Sequence, residues 1–212
     1  MFTRILILAP HPDDAELGCG GTIARLADEG RGVMVATLTD RDGNCPLMGD
    51  IASESENALE QLVGAARMKS GQCVLIHLAF PLFEMRTVRQ HVLSTFERLR
   101  RELKPDAVFA PALGDLHQDH QVCMDEAARA FKGVTLLGYH ILRSNPDFAP
   151  SVYVGITEDQ LARKAAAVAC YSTQRDKAYC QPPVLRAQAA FCGAQCGLPL
   201  AEAFSVRWAV MP

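Results

Sequence analysis

The chain has 212 residues, 49% of them hydrophobic and 21% charged, with a formal net charge of −3. That length suits a single domain, taken here as residues 1–212, able to bury roughly 70% of its unfolded surface. The charge gives no electrostatic case for nucleic acid or an anionic membrane, and no apolar run approaches the roughly 20 residues needed to span a bilayer.

Residues 5–9 (Ile-Leu-Ile-Leu-Ala) read as a short buried strand. Pro10 and Pro12 stop sheet pairing and stiffen the loop that follows, which carries His11, Asp13 and Asp14. The early segment lacks the long apolar region of a signal peptide, so a cytoplasmic location is expected. Residues 22–29 read as a helix, and Gly30 and Gly32 flank the turn into a strand at 33–39. The loop 40–50 is long for a plain connection, which favours a functional role. A helix is expected at 53–67 and a strand at 73–78. Phe80 to Phe83 open another edge loop, either a pocket wall or core packing. Residues 87–103 are an amphipathic helix, with Val88, Val92, Phe96, Leu99 and Leu103 at helical spacing. His91 lies off that stripe and reads as solvated. His77, in a strand pattern, reads as structural.

A further strand at 107–110 leads into Asp115-Leu-His117-Gln-Asp119-His120. Beyond it, a helix is expected at 121–131, strands at 134–142 and 152–154, and a capped helix at 157–170. A polar loop at 171–183, a helix at 184–196 and a strand at 204–210 complete the chain. Short apolar runs alternating with longer amphipathic ones signal βα units, hence an α/β fold around a mostly parallel sheet. The eight Cys are expected as free thiols. Cys192 and Cys196 lack a second metal-spaced pair, and Cys19 reads as packing rather than ligand.

In open α/β sheets ligands bind beyond the carboxyl ends of the strands, where His11, Asp13 and Asp14 fall. Helix capping would explain one Asp but not the imidazole. A catalytic zinc explains all three: His11 and Asp14 as ligands, Asp13 as base for a metal-bound water. Two ligands are too few, so a third is required at another strand end. His117 and His120 supply it. One of them binds the metal while the other faces substrate, and Asp119 orients an imidazole through its second ring nitrogen. Fe2+, Co2+ or Mn2+ would also suit such donors. A rival reading is a nucleotide-binding module built on Gly18-Cys19-Gly20-Gly21, with Asp40 as ribose ligand. Ile23 at the third glycine position and two Asp beside the phosphate site weigh against it.

His11-Pro-Asp13-Asp14-Ala-Glu16-Leu-Gly-Cys-Gly-Gly and Gly114-Asp115-Leu-His117-Gln-Asp119-His120 resemble the two signature motifs of the LmbE-like, or PIG-L, zinc deacetylases. Lys164 with Tyr171-Ser-Thr-Gln174 resembles a third segment of that family, and Ala201-Glu202-Ala203-Phe204 a fourth. The resemblance implies a three-layer, Rossmann-like sheet and removal of an acetyl group from an N-acetylated amino sugar, usually a GlcNAc unit. It implies His11, Asp14 and His120 as Zn2+ ligands, Asp13 as the base and His117 as the oxyanion-stabilising acid. Asp119 joins the catalytic set. The family often carries Arg then Glu early in the second helix, where this chain reads Ala52-Ser53-Glu54-Ser55-Glu56-Asn57. Arg41 is the candidate replacement, against the reading of a solvated surface Arg, and Tyr171 and Gln174 are candidate substrate contacts or, equally, structure behind the site. The expected partner is a small N-acetylated sugar or conjugate. A homo-oligomer stays open, as does a metal-dependent hydratase, lyase or amidase on the same scaffold.

Overall fold

A computed structural model describes residues 2–39 and 51–210. Strand β1 (Arg4–Ala9) leads into helix α1 (Asp14–Asp28), then β2 (Gly32–Thr39). Helices α2 (Ile51–Val63) and α3 (Ala65–Lys69) precede β3 (Cys73–Phe80). A 3-10 turn (Met85–Val88) opens α4 (Arg89–Leu103), followed by β4 (Ala107–Pro111), α5 (Gln118–Ala130) and β5 (Thr135–Tyr139). The chain closes with β6 (Val152–Gly155), α6 (Glu158–Ala169), α7 (Pro182–Cys196) and β7 (Ala201–Trp208).

The seven strands among the described residues form one sheet in the order β3-β2-β1-β4-β5-β7-β6. The first five run parallel, while β7 is antiparallel to both β5 and β6. The period of two along β1 sends its neighbours to opposite layers. Ile5 and Ile7 pack with Ile23, Leu59 and Leu161 of α1, α2 and α6. Leu6 and Leu8 pack with Val92, Phe96 and Val122 of α4 and α5. Strand order reverses between β1 and β4, so a crevice opens beyond their carboxyl ends.

Several expectations change. Helix α1 starts at Asp14 rather than at 22, because Asp13 turns the chain at φ 101 and launches the helix at once. The helix expected at 53–67 divides at Gly64, whose φ of 83 is open to glycine at little cost. Residues 140–142 leave the strand pattern at Tyr139, and the last strand begins earlier, at Ala201. His77 is exposed on the edge strand β3 and not a packed structural histidine. Seven described cysteines are free, as expected. No helix among the described residues is long and apolar enough to cross a membrane.

The glycines of α1 are there for contact. A Cβ on Gly18 would lie 2.2 Å from the Tyr139 ring, whose hydroxyl donates to the Leu8 carbonyl at 2.9 Å. Gly18→Ala should therefore cost about 1–3 kcal/mol through overpacking, read as a lower urea midpoint with unchanged slope. A wild-type midpoint would mean that the ring yields freely.

Candidate metal centre and active site

Two loops at the sheet's switch point build the site. The first leaves β1. Thr39 fastens it, donating to the Pro10 carbonyl through its amide at 3.0 Å and its hydroxyl at 2.8 Å. Asp13 then occupies the α1 N-cap without making a side-chain cap bond, so capping does not account for it. The Asp14 Oδ2 accepts from the His11 backbone N–H at 2.8 Å. The second loop leaves β4. There the Asp115 Oδ1 accepts from the His117 N–H at 2.8 Å, and His117 caps α5 by accepting the Asp119 N–H on Nδ1 at 3.2 Å.

These loops bring three donors together. His11 Nδ1 lies 3.1 Å from Asp14 Oδ2, His120 Nε2 lies 3.2 Å from the same oxygen, and the two nitrogens are 3.2 Å apart. Ligands about 2.0–2.1 Å from a tetrahedral zinc stand about 3.3–3.4 Å from one another, so this triangle fits a small divalent ion. His117 is close by, its ring centroid 4.5 Å from that of His11 and 4.7 Å from that of His120. Nitrogens of the three imidazoles fall within 4.8 Å of one another.

Each of the two clustered imidazoles has a carboxylate behind it. The Asp119 Oδ2 lies 3.1 Å from His11 Nε2 and also accepts the Phe83 N–H at 2.9 Å. The Asp115 Oδ2 lies 2.9 Å from His120 Nδ1 and accepts from the Ser144 hydroxyl at 2.8 Å. Such pairs fix ring orientation and raise ligand basicity. Asp119 is thus placed behind His11, fully buried, rather than on the cavity.

A cavity of about 500 Å³ opens over these groups. His11, Asp13, Asp14, His117 and His120 line its floor, and Leu82, Phe83 and Leu116 give it an apolar wall. The edge loop therefore divides, with Phe83 57% exposed at the cavity and Phe80 in the core. Arg143, Ser144, Thr173, Gln174, Lys177 and Tyr179 line the rest. Gln174 stands where a substrate contact was expected, and its Oε1 accepts from the Tyr179 hydroxyl at 3.1 Å. Tyr171 does not. It is 1% exposed and packed in the core beside Glu16, so its hydroxyl supports the first loop from behind. Arg41 and Asp40 lie outside the described residues. Among the described residues, the cations lining the cavity are Arg143, 6.0 Å from the Tyr179 ring centroid, and Lys177. Sequence reasoning missed both, as well as Asp115, although an Asp two residues before the His117 amide is a recognisable turn signal.

The chain matches the PIG-L family, described as GlcNAc-PI de-N-acetylase, over residues 6–131. It belongs to that family. The uncharacterised deacetylase YaiS of Escherichia coli K12 is 30% identical over 172 residues, covering 77% of this chain and 88% of that protein. The solved structure of the conserved protein TT1542 from Thermus thermophilus is 28% identical with a TM-score of 0.78, covering 99% of this chain and 97% of that one. The N,N'-diacetylchitobiose deacetylase from Pyrococcus horikoshii shares the fold at 23% identity and a TM-score of 0.70, covering 97% and 84%.

Lys164 and Glu202, from the two weaker PIG-L-like segments, lie away from the cavity, whereas Gln174 lines it. Lys164 Nζ donates to Glu202 Oε1 at 2.6 Å, and both side chains are buried. Glu202 accepts the Gly21 and Thr22 amides at 3.0 and 2.7 Å. A Cβ on Gly20 would meet Lys164 at 3.0 Å, and one on Gly21 would meet Ile156 at 2.8 Å. A carboxylate thus holds the amides that a nucleotide-binding module would offer to phosphate, which removes that rival.

Charge in this PIG-L centre is tightly balanced. Burial alone would lower the His11 imidazole, but the Asp14 charge and hydrogen bonds to Asp119 and Asp14 raise it to about 9. Burial likewise opposes protonation of His120, and Asp14 and Asp115 overcome it, raising that group to about 10. Burial would raise Asp14, yet His120 and His11 hold it below the usual carboxylate range. Burial, then the Asp14 charge, push Asp13 well above its ordinary value. Burial, then the charges of His11 and His120, lower His117, which leaves that ring neutral.

A divalent ion bound by His11 and His120 would have to displace protons from them. Calorimetry in buffers of different ionisation enthalpy should show proton release on adding zinc at neutral pH. The zinc affinity should climb as pH rises through about 9 and 10, the range set by these two rings. Their contribution to metal-free stability has the opposite sign. It is full below about 6.5 and is lost as pH rises through those values. A zinc affinity that is flat with pH would rule the two rings out as ligands.

Proposed function

We propose that the protein is a metal-dependent hydrolase that removes the acetyl group from a GlcNAc-type N-acetylated amino sugar. The observation that carries the reading is the triangle of His11, Asp14 and His120 donors, with a cavity-facing Asp13 beside it that makes no cap bond. Family membership points to deacetylation as the reaction.

His11, Asp14 and His120 would hold the ion, with Asp119 and Asp115 fixing the two rings. Mixed nitrogen and oxygen donors suit zinc, and Fe2+, Co2+ or Mn2+ are compatible. A bound divalent ion supplies Lewis acidity and brings the pKa of water from about 15.7 toward about 7. Asp13 takes a proton from the attacking water. Its raised affinity for protons makes it a stronger base than a solvated Asp, and the left-handed φ of 101 at this residue is strain of the kind found at working sites. The water oxygen bonds to the acetyl carbonyl carbon and the C–N bond breaks. Asp13 returns its proton to the leaving nitrogen, giving free amine and acetate.

His117 serves the oxyanion. Its Nδ1 accepts the Asp119 amide, so the neutral ring carries its proton on Nε2, the remaining donor. Gln174, Tyr179 and Arg143 offer hydrogen bonds to sugar hydroxyls, and the faces of Phe83 and Leu116 offer apolar contact. Tyr171, assigned to the sugar from the sequence, is buried behind the site, and Arg41 lies outside the described residues.

Acetate release from a panel of free, nucleotide-linked and lipid-linked N-acetyl sugars tests the reading, using metal-stripped and zinc-restored protein. Release should depend on metal. Asp13→Asn should lower kcat by ~10²–10⁴-fold while zinc still binds, and His117→Ala by ~10²–10³-fold. His120→Ala should lose the metal itself. Stoichiometric zinc binding with no acetate from any sugar would overturn the deacetylase reading and turn attention to hydration of an unsaturated acid.

A further inference from the structure

Helix α1 is two helices. Cys19, at φ −149 and ψ 23, breaks it into a stretch at 14–18 and a stretch at 20–28. A break exposes the amides of the turn that follows, and these need acceptors. Glu202 on β7 takes two of them, Gly21 N–H on Oε1 at 3.0 Å and Thr22 N–H on Oε2 at 2.7 Å. Lys164 on α6 completes the arrangement at 2.6 Å. Each of the two charged side chains is 5% exposed. The carboxylate therefore serves as an N-cap supplied from a distant strand, and the macrodipole of the second stretch favours its charge.

The first stretch carries Asp13 and Asp14. Its far end meets the break, where the Cys19 Sγ–H donates to the Ala15 carbonyl at 3.3 Å and Gly18 rests on Tyr139. A straight helix through residue 19 would aim these two Asp elsewhere. Stability alone is a poor account of the pair, because a buried ion pair is often no better for stability than apolar residues of similar volume.

We propose that Glu202 and Lys164 are positioning residues for the metal centre. By capping the second stretch of α1 at the break, they set the angle between the two stretches and so hold Asp14 against His11 and His120. This rests on the reading of Asp14 as a ligand and Asp13 as the base.

Two variants test it. Glu202→Asp keeps the charge and shortens the reach, so one carboxylate no longer spans both amides. The double variant Glu202→Gln with Lys164→Met removes both charges together. Three measurements are made on folded protein alongside the melting temperature: the Asp13 and Asp14 amide resonances without metal, zinc affinity by chelator competition, and kcat and KM on the best substrate of the panel. Positioning predicts shifted Asp13 and Asp14 resonances, zinc affinity ~10–100-fold weaker, and a fall in kcat with KM nearly unchanged. A lower melting temperature with wild-type resonances and zinc affinity would show a merely stabilising pair and overturn the proposal. So would variants identical to wild type, or failure of both variants to fold. If the wild-type protein deacetylates nothing, the functional reading fails, while the resonance and zinc measurements still decide this one.

Discussion

The site depends on keeping five acids in a small buried volume. Asp13, Asp14, Glu16, Asp115 and Asp119 are all buried, close behind or beside one another at one sheet edge. Unpaired, they would repel and be driven toward protonation. Burial has already raised Glu16 to about 7, and burial and the Asp14 charge push Asp13 well above its ordinary value. What keeps Asp14 charged is positive charge at the centre of the group. In the metal-free chain the imidazolium forms of His11 and His120 supply it, and a divalent ion in the same place would supply it more compactly. Charge balance thus ties together the perturbed carboxylates, the basic imidazoles and the fit of the donor triangle.

Much of this was legible because the sequence is periodic where the sheet is buried. The five apolar residues at 5–9, and the helix stripe from Val92 to Leu99, predict elements that the structure places with shifts of a residue or a few. The loops after the two central strands also declared themselves, since His and Asp clustered at strand ends have few purely structural uses. What stayed hidden was whatever depends on tertiary approach. The start of α1 was missed because Gly18, Gly20 and Gly21 argue locally against a helix. They are tolerated there because Tyr139, Lys164 and Ile156 press against them. Tyr171 looked like a site residue because Tyr171-Ser-Thr-Gln174 resembles a PIG-L segment, yet Tyr171 turns into the core while Thr173 and Gln174 line the cavity. Arg143, Lys177 and Tyr179 come from two separate loops and share a cavity only once β5, α6 and the following turns are in place.

The assembly divides labour by distance. The strained Asp13 stores roughly 1–3 kcal/mol, and such strain persists only where the surroundings leave no alternative. Here the surroundings are specific. Thr39 fixes the loop before Asp13, the Asp14 carboxylate holds the His11 amide, and Glu202 with Lys164 caps the helix after its break at Cys19. The last of these restraints comes from β7 and α6, the C-terminal part of the chain, which sends no ligand into the donor triangle. The four PIG-L-like segments therefore do two different jobs. On the proposed reading the first and second would supply donors and the base, while Lys164 and Glu202 would govern where the first can point. The family match over residues 6–131 takes in only the first two, and the geometry separates what would touch the ion from what holds the helix behind it.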